Sequence, residues 1–372
     1  MVIGIDGNEA NLEKRVGVNQ YAFELLLGLY KLPESKKHLF VIYLKDNPRS
    51  DLPPARNGWQ YKILRGGGAW IIKTLMPYLF KNPDKLDVFF TPSHYVPPFS
   101  RVPRVCCIMD LGYLKSKEQF RAYDYWQLRI WTAWSLFVSK NILAISDATK
   151  KDIVDHYPFA KEKTQVVLLA GDSSVTNTIV KSSDIVAVRK KYSLPKKYVL
   201  FLGTLKPSKN ITGLISAWSQ ISSKFPEYKL VVAGKKGWLY NPIFEHVKKL
   251  KVEKQVIFTD FMPDCDKPSL IKGATLFVLP SFWEGFGIDV VNSMASGVPV
   301  VASNRGSLPE VVGNAGFLVN PDNTHEIASK ITKVLLMSKK EYNNLSLKSV
   351  RQAKRFSWEK TARDTLRIIT DV

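Results

Sequence analysis

The sequence predicts an α/β protein built from two Rossmann-like, doubly wound domains that face a central cleft. Three observations support this fold class. The chain has 372 residues, which is enough for two domains that each bury a core. Short apolar runs alternate with longer helical patterns, as in βαβ units with a parallel sheet. This alternation stops at a polar stretch and begins again past residue 195.

In the first half, each predicted strand is a short apolar run that ends at a turn. Val2–Ile5 is followed by a loop that contains Gly7, Asn8 and Gly17, and then by the helical spacing of Tyr21–Tyr30. Further strands are predicted at Leu39–Leu44, Val88–Phe90, Val105–Ile108 and Ile142–Ile145. These elements assign residues 1–190 to an N-terminal domain.

The second half repeats the pattern after a polar boundary at residues 172–195. Its strands are predicted at Tyr198–Leu202, Leu230–Ala233, Gln255–Phe258, Thr275–Leu279 and Val298–Ala302. Residues 191–355 are therefore predicted to form a C-terminal domain. A last helix is predicted at Trp358–Thr370 with Ser357 as its N-cap, and we expect the segment of about 357–372 to pack back on the N-terminal domain. Ligands of such sheets bind at the carboxyl ends of the strands.

Cysteine and charge content narrow the class of protein. Cys106, Cys107 and Cys265 lack the spacing of a metal site or a disulfide scaffold, which favours reduced thiols and a cytoplasmic location. The first residues do not resemble a signal peptide, and we expect no membrane-spanning segment. The net charge of +21 fits a solvated lysine-rich surface, a phosphate-bearing ligand or an anionic membrane surface. No nucleic-acid-binding motif accompanies this charge, so we expect no nucleic-acid partner.

The most informative motif is LPSFWEGFGIDVVNSMASGVPVVA at residues 279–302. Its loop contains Glu284, and a helix is predicted from Ile288 to Ser296, ended by Gly297. Glycines in such a loop let backbone amides approach a ligand, and the helix N-terminus behind them favours phosphate. Glu284 can accept hydrogen bonds from sugar hydroxyls. An ordinary glycine-rich turn is the alternative for the four residues EGFG taken alone.

This run resembles the donor-site signature of the family 4 (group 1) retaining glycosyltransferases of GT-B fold. The resemblance continues along most of the chain, and the shared order of its segments makes it specific. Those segments are IGIDGNEAN at 3–11, FFTPSHYVPP at 89–98, VCCIMDLGYL at 105–114, ILAISDATKKDI at 142–153, YVLFLGTLKPSKNITGLISAW at 198–218, NRGSLPEVVGNAGFLVNPDN at 304–323 and FSWEKTA at 356–362.

The resemblance implies that the C-terminal domain binds a nucleotide-diphosphate sugar and that the N-terminal domain binds the acceptor. It places Lys209 on the donor diphosphate, and a flexible ammonium on a loop suits that role. The residues that it assigns to donor binding are Gly17, Gly203, Thr204, Lys206, Lys209, Glu284, Gly285, Phe286, Gly287, Ile288 and Asn292. Glu284, Asp110 and Lys209 are the expected catalytic residues. No metal and no cofactor is expected.

Two positions depart from the family pattern. The family has a second glutamate eight residues after the first, where it typically holds the ribose, but this chain has Asn292. Many relatives have a histidine before the aspartate of the middle strand, but this chain has Met109 before Asp110. Asparagine can still accept a hydrogen bond from a ribose hydroxyl, although the charge-assisted bond is lost. Asp110 can equally serve as a helix N-cap.

Two aromatic stretches admit two interpretations. Residues 120–137 include Tyr125, Trp126, Trp131, Trp134 and Phe137, and residues 69–81 combine apolar side chains with two lysines. One interpretation is the core of the N-terminal domain. The other is a surface that binds a membrane or a lipid-linked acceptor, because Trp, Tyr and Lys anchor proteins at membrane interfaces.

The expected function is the transfer of a hexose, with retention of anomeric configuration, from a nucleotide-diphosphate sugar to a glycan or lipid-linked acceptor. The loop at residues 203–210 is similar to a loop common among mannosyltransferases, which favours GDP-mannose as the donor. In such enzymes the donor phosphate is thought to take the acceptor proton. Asn292 and Met109 leave an alternative open, namely a non-catalytic relative that binds a nucleotide sugar or a partner protein.

Overall fold

The computed structural model of the chain describes residues 1–115, 117 and 121–372. It contains two structural units, each with its own parallel sheet. The first unit comprises Met1–Ala170 and Ser357–Val372, and the second comprises Gly171–Phe356. The predicted fold class, two Rossmann-like parallel-sheet domains, is confirmed.

In the first sheet, the central strands form from apolar runs that are buried on both faces, as a parallel sheet under helices requires. Its strands are β1 (Val2–Asp6), β2 (Leu39–Leu44), β3 (Trp59–Ile63), β4 (Val88–Thr91), β5 (Arg104–Ile108), β6 (Asn141–Ala144) and β7 (Thr164–Val166). Among the described residues they pair in the order β3-β2-β1-β4-β5-β6-β7. Within β1, Ile3 is aligned with Phe40 of β2 and with Val88 of β4.

The helices of this unit cover the sheet and complete its core. They are α1 (Val18–Lys31), α2 (Met76–Lys81), α3 (Gly112–Lys115), α4 (Ala122–Val138) and α5 (Asp147–His156). Both aromatic stretches contribute to this core, since Trp70 and Leu79 pack in one cluster and Tyr125 and Leu136 in another. The core interpretation therefore holds for these four residues. Residue 120, the first of the longer stretch, lies outside the described residues.

The second unit repeats the arrangement with a six-stranded sheet in its described residues. Its strands are β8 (Lys197–Leu202), β9 (Tyr228–Ala233), β10 (Val256–Asp260), β11 (Leu276–Leu279), β12 (Val300–Ser303) and β13 (Phe317–Val319). They pair in the order β10-β9-β8-β11-β12-β13, and all pairs are parallel. The loops after β8, β11 and β12 consequently leave the same edge of the sheet.

Helices cover this second sheet as well. They are α6 (Ser173–Thr176), α7 (Ser182–Lys191), α8 (Ile211–Ser219), α9 (Asn241–Lys249), α10 (Lys267–Lys272), α11 (Ile288–Ala295), α12 (Leu308–Val312), α13 (Thr324–Leu335) and α14 (Lys339–Ala353). Helix α11 ends near Gly297, whose φ of 72° is a left-handed conformation that glycine adopts readily. Among the described residues, no helix has both the length and the apolar composition needed to cross a membrane.

The last helix, α15 (Trp358–Thr370), belongs to the first unit. Ser357 caps it by accepting a hydrogen bond from the Lys360 amide at 3.2 Å. Its apolar side packs against α1, where Gly28 allows a close approach: a Cβ at this position would lie 3.0 Å from the Cβ of Ala362. The helix predicted at Trp358–Thr370 thus has these bounds in the structure, and it packs on α1 of the first unit.

The boundary between the units lies at Ala170–Gly171, about twenty residues before the predicted division at 190–191. The polar stretch that suggested a linker folds into α6 and α7, which pack on the second unit. Arg189 of α7 donates a hydrogen bond to the Gly273 carbonyl at 3.2 Å, and Lys191 pairs with Asp266 at 2.6 Å. Polar composition alone could not reveal these contacts, because they join segments about eighty residues apart in sequence.

Candidate active site

Three loops meet at the carboxyl-end edge of the second sheet, after strands β8, β11 and β12. The Phe282 amide of the second loop donates a hydrogen bond to the Ser208 carbonyl of the first at 2.9 Å. The Ser307 amide and hydroxyl of the third loop donate to the Glu284 carbonyl at 3.2 and 3.1 Å. These bonds hold the predicted residues of the three loops in one site.

Close backbone packing shapes the first loop, residues 203–210. Gly203 has a φ of 154°, and a Cβ at Gly234 would lie only 1.9 Å from the Gly203 carbonyl oxygen. The Leu205 amide donates to the Lys235 carbonyl at 2.9 Å, so the loop runs beside the segment that follows β9. Thr204 lies between these anchors, and the Lys206 ammonium lies 5.0 Å from the ring centroid of Trp238.

Asn210 fixes the end of this loop. Its side-chain amide donates to the Pro280 carbonyl at 3.1 Å and to the Pro321 carbonyl at 2.7 Å, while its oxygen accepts from the Gly213 amide at 3.2 Å. The residue is buried, and its φ of 52° is a left-handed conformation that asparagine tolerates. One side chain therefore caps α8 and ties together three segments around Lys209.

Lys209 and Glu284 form the centre of the site. The Lys209 ammonium lies 2.6 Å from Glu284 Oε1 and 2.8 Å from Oε2, and the two side chains are 18% and 12% exposed. An ammonium carries three donors, so Lys209 can bind an anionic oxygen while it holds this carboxylate. The carboxylate can in turn accept hydrogen bonds from hydroxyl groups. The sequence predicted both residues, and the structure brings them together from segments 75 residues apart.

The N-terminus of α11 follows Glu284 directly. Gly287 starts this helix with a φ of 98° and has no side chain of its own to cap it, and Ile288 is the first helical residue. Gly285 is buried, and Phe286 packs edge-on against Phe356 with ring centroids 5.5 Å apart. The backbone amides of an uncapped first turn carry a partial positive charge that favours an anion. This end of α11 is therefore suited to a phosphate group.

Asn292 lies on the second turn of α11 and is fully buried. Its side-chain oxygen accepts a hydrogen bond from the Asp172 amide at 2.7 Å, and its nitrogen donates to Asp172 Oδ2 at 3.2 Å and to Asp289 Oδ1 at 3.4 Å. A Cβ at Gly171 would lie 2.7 Å from the same oxygen. The Asn292 amide thus links two carboxyl groups, and its expected contact with a ribose stays a prediction.

The two carboxyl groups are electrostatically coupled. Burial and the nearby carboxylate of Asp172 raise the pKa of Asp289 to about 6. Burial likewise raises the pKa of Asp172. Burial lowers the pKa of Lys267, but the carboxylates of Asp172 and Asp264 outweigh this effect and the pKa is raised. The sequence did not single out Asp172 or Lys267, because no motif contains them.

The first unit contains the remaining predicted residues. Gly17 starts α1 with a φ of 58°. Asp110 follows β5, is exposed and accepts a hydrogen bond from the Gly112 amide at 2.8 Å, so it caps the turn that begins α3. Burial lowers the pKa of His94 to about 4, which keeps its ring neutral near pH 7. Asp110 therefore has the structural role that the sequence left open beside a catalytic one.

Parts of this chain are similar in sequence to known proteins. Residues 185–350 match the family of group 1 glycosyl transferases. The O-antigen chain mannosyltransferase B of Escherichia coli is 34% identical over 62% of this chain and 61% of its own length. The serotype-specific mannosyltransferase WbdA of Escherichia coli is 29% identical over 71% of this chain. The aligned regions span less than two thirds of these relatives, and only 33% of WbdA.

Solved structures agree on the fold. Anabaena HepE, solved in complex with UDP and glucose, superposes with a TM-score of 0.74 at 19% identity and covers 100% of this chain and 99% of its own. WaaG, a glycosyltransferase involved in lipopolysaccharide biosynthesis, has a TM-score of 0.73 at 14% identity and covers 100% of both chains. The match to the group 1 glycosyl transferases thus covers most of the second domain, and the whole chain shares the fold of these solved structures.

Proposed function

We propose that this chain is a retaining hexosyltransferase that moves a sugar from a nucleotide-diphosphate donor to a glycan or lipid-linked acceptor. The observation that carries the proposal is the pair of Lys209 and Glu284 beside the uncapped N-terminus of α11. A cation and a helix N-terminus suit a diphosphate, whereas a carboxylate suits sugar hydroxyls. All of these groups lie at the carboxyl-end edge of the second sheet.

In this proposal, the second domain offsets the negative charge that develops on the leaving diphosphate. Lys209 and the amides of Gly287 and Ile288 supply fixed positive charge, which stabilises a transition state without reorganisation. We therefore propose a metal-independent reaction, and addition of a chelator should leave the rate unchanged. The acceptor binds to the first domain, where Asp110 is the catalytic candidate. The free thiols Cys106, Cys107 and Cys265 favour a cytoplasmic location.

The donor that we propose is GDP-mannose. Two relatives reported above are named mannosyltransferases, and the loop at residues 203–210 supports the same choice. HepE was solved with UDP-glucose as well as with UDP, so UDP-glucose is the competing donor. The acceptor class, a glycan or lipid-linked sugar, is supported by the relative named for O-antigen chains.

The binding part of the proposal can be tested by titration calorimetry with GDP, UDP and ADP. Loss of a charge-assisted contact costs about 1.5–3 kcal/mol, so Lys209→Ala should weaken nucleotide binding about tenfold to a hundredfold. Lys254→Ala removes an exposed lysine of the same domain and should leave the affinity unchanged. Equal affinity in Lys209→Ala and wild type would remove Lys209 from the site.

The catalytic part can be tested by incubating the enzyme with a panel of nucleotide sugars and acceptors. Proton NMR of the product should show the anomeric configuration of the donor, and GDP-mannose should be the preferred donor. An inverted product would contradict retention. Tight nucleotide binding without transfer or donor hydrolysis across the panel would favour the non-catalytic alternative.

A further inference from the structure

Helix α4 carries an apolar stripe on its outer side. Its inner side is buried and includes Tyr125 and Leu136. Its outer side exposes five large apolar residues, spaced three, four, four and three positions apart as one helix face requires. They are Tyr123 at 76% exposure, Trp126 at 48%, Ile130 at 65%, Trp134 at 38% and Phe137 at 66%. Soluble helices normally present polar residues on this side, so the stripe requires an explanation.

Two further rings extend the stripe beyond the helix. Phe99 lies against Trp134 with ring centroids 6.2 Å apart, and Phe159 lies against Phe137 at the same distance. Both rings are more than half exposed. We call these seven residues the aromatic face. All of them belong to the first unit, and α4 alone is about 25 Å long at 1.5 Å per residue.

Cations border the aromatic face. The Arg129 guanidinium lies 5.3 Å from the ring centroid of Trp126, and the Lys117 ammonium lies 5.9 Å from it. The Lys163 ammonium lies 5.7 Å from the Phe159 ring at the other end. Residues 99–140 contain seven basic and three acidic side chains, and Asp124 is the acid exposed on α4 itself. Aromatic rings with cations at their edges are the side chains that anchor proteins at a bilayer surface.

We propose that the aromatic face docks the protein on an anionic lipid bilayer. The rings enter the headgroup region, while Arg129, Lys117 and Lys163 contact anionic headgroups. A second copy of this chain fits less well, because it would bring more positive charge to a protein whose net charge is already +21. The docking surface lies in the first unit, so the inference does not depend on the proposed transfer reaction.

The test is partition of the full chain onto vesicles, followed by flotation. Vesicles of neutral phosphatidylcholine are compared with vesicles that also contain phosphatidylglycerol, at about 0.05 M and about 0.5 M salt. Wild type should float with the anionic vesicles at low salt, and binding should fall as the salt rises. The variant Ile130→Ser, Phe137→Ser should lose at least about tenfold in partition.

A matched control removes exposed apolar residues from the second unit instead. Ile179→Ser, Leu336→Ser changes side chains that are 88% and 70% exposed and should float like wild type. Thermal unfolding and nucleotide titration check that each variant is folded. Equal flotation of the two double variants, or no flotation of wild type on anionic vesicles, would overturn the proposal. Light scattering provides a further check. A wild-type dimer that dissociates in the aromatic-face variant but persists in the control variant would overturn the proposal in favour of a protein interface.

A second measurement uses wild-type protein and needs no disruptive variant. Lipids brominated near the headgroup should quench the fluorescence of Trp126 and Trp134. The variant Trp126→Phe, Trp134→Phe keeps an apolar face, so it should still float but lose most of this quenching. Quenching that is unchanged in this variant would place other tryptophans at the bilayer and contradict the proposed face.

Discussion

At the scale of single residues, Asn292 illustrates how one amide can organise two acids. The resemblance to known glycosyltransferases led us to expect a ribose ligand at this position, where the family has a glutamate. In the structure the Asn292 amide is buried between Asp172 and Asp289 and hydrogen-bonds to both. A glutamate in this setting would add a third carboxylate to a buried cluster, which costs free energy unless a cation compensates. The uncharged amide of Asn292 avoids this cost.

The raised pKa of Asp289 predicts a pH-dependent stability. Its pKa is about 6 in the folded chain and 3.8 in the unfolded chain, so its stabilising effect is complete below pH 4 and is lost as the pH rises through 6. Two pKa units correspond to about 3 kcal/mol, and partial solvent exposure reduces this to about 1–2 kcal/mol. Asp289→Asn should therefore raise the free energy of unfolding at pH 7.5 and have little effect at pH 4.

Chemical denaturation at both pH values measures this difference directly. Glu245→Gln changes an exposed carboxyl group of the same unit and is the matched control. A gain for Asp289→Asn that is equal at pH 4 and pH 7.5 would show that ionisation is not its cause.

At the scale of secondary-structure elements, the central strands were predicted and several edge strands were not. β3, β7 and β13 each lie at the edge of a sheet. Each has partly exposed residues, whereas β4 and β11 are buried throughout. A central strand has neighbours on both sides and helices on both faces, so it requires a continuous apolar run that can be recognised in sequence. An edge strand lacks this requirement, and its pairing depends on the neighbouring strand.

Among the loops, we expect the side chain of Asn210 to contribute both to stability and to the site. Asn210→Ala removes the cap of α8, leaves the carbonyls of Pro280 and Pro321 without their donor, and puts alanine in a left-handed conformation. These effects should lower the free energy of unfolding by about 3 kcal/mol. Nucleotide affinity should fall as well, because Lys209 precedes Asn210 directly.

Asn323→Ala provides the comparison for this prediction. Asn323 also caps a helix, α13, by accepting a hydrogen bond from the Glu326 amide at 3.0 Å. Its loss should cost only about 1 kcal/mol and should not change nucleotide affinity. If urea denaturation gives equal losses for the two variants, the additional bonds of Asn210 do not contribute to stability.

At the scale of the whole molecule, the chain enters the second unit after Ala170 and returns to the first at Ser357. Helix α15 completes the first unit by packing on α1, and Thr361 donates a hydrogen bond to the Leu168 carbonyl at 2.7 Å. Each unit has a sheet and buried side chains of its own. Units with separate cores can lose structure separately.

Gly28→Val tests this separation. The added side chain would meet the Cβ of Ala362 at 3.0 Å and the Trp358 carbonyl at 3.2 Å, so α1 and α15 must move apart at a cost of about 1–3 kcal/mol. Hydrogen exchange should become faster in α1 and α15 and stay unchanged in α8 and α11. Gly68→Ala, at a position with open space around it, is the control. Faster exchange in both units would show that they unfold as one.

The sequence by itself determined the fold class, the central strands, the last helix and the two ends of the Lys209–Glu284 pair. These features depend on local patterns, namely apolar runs, caps and glycine-rich turns. Each such pattern involves residues that are close together in the sequence. Only the tertiary structure decided the boundary at Ala170–Gly171, the partners of Asn292 and the outer side of α4. Each of these depends on which distant segments come together, because burial of a carboxyl group or exposure of a ring is set by neighbours that the linear sequence does not specify.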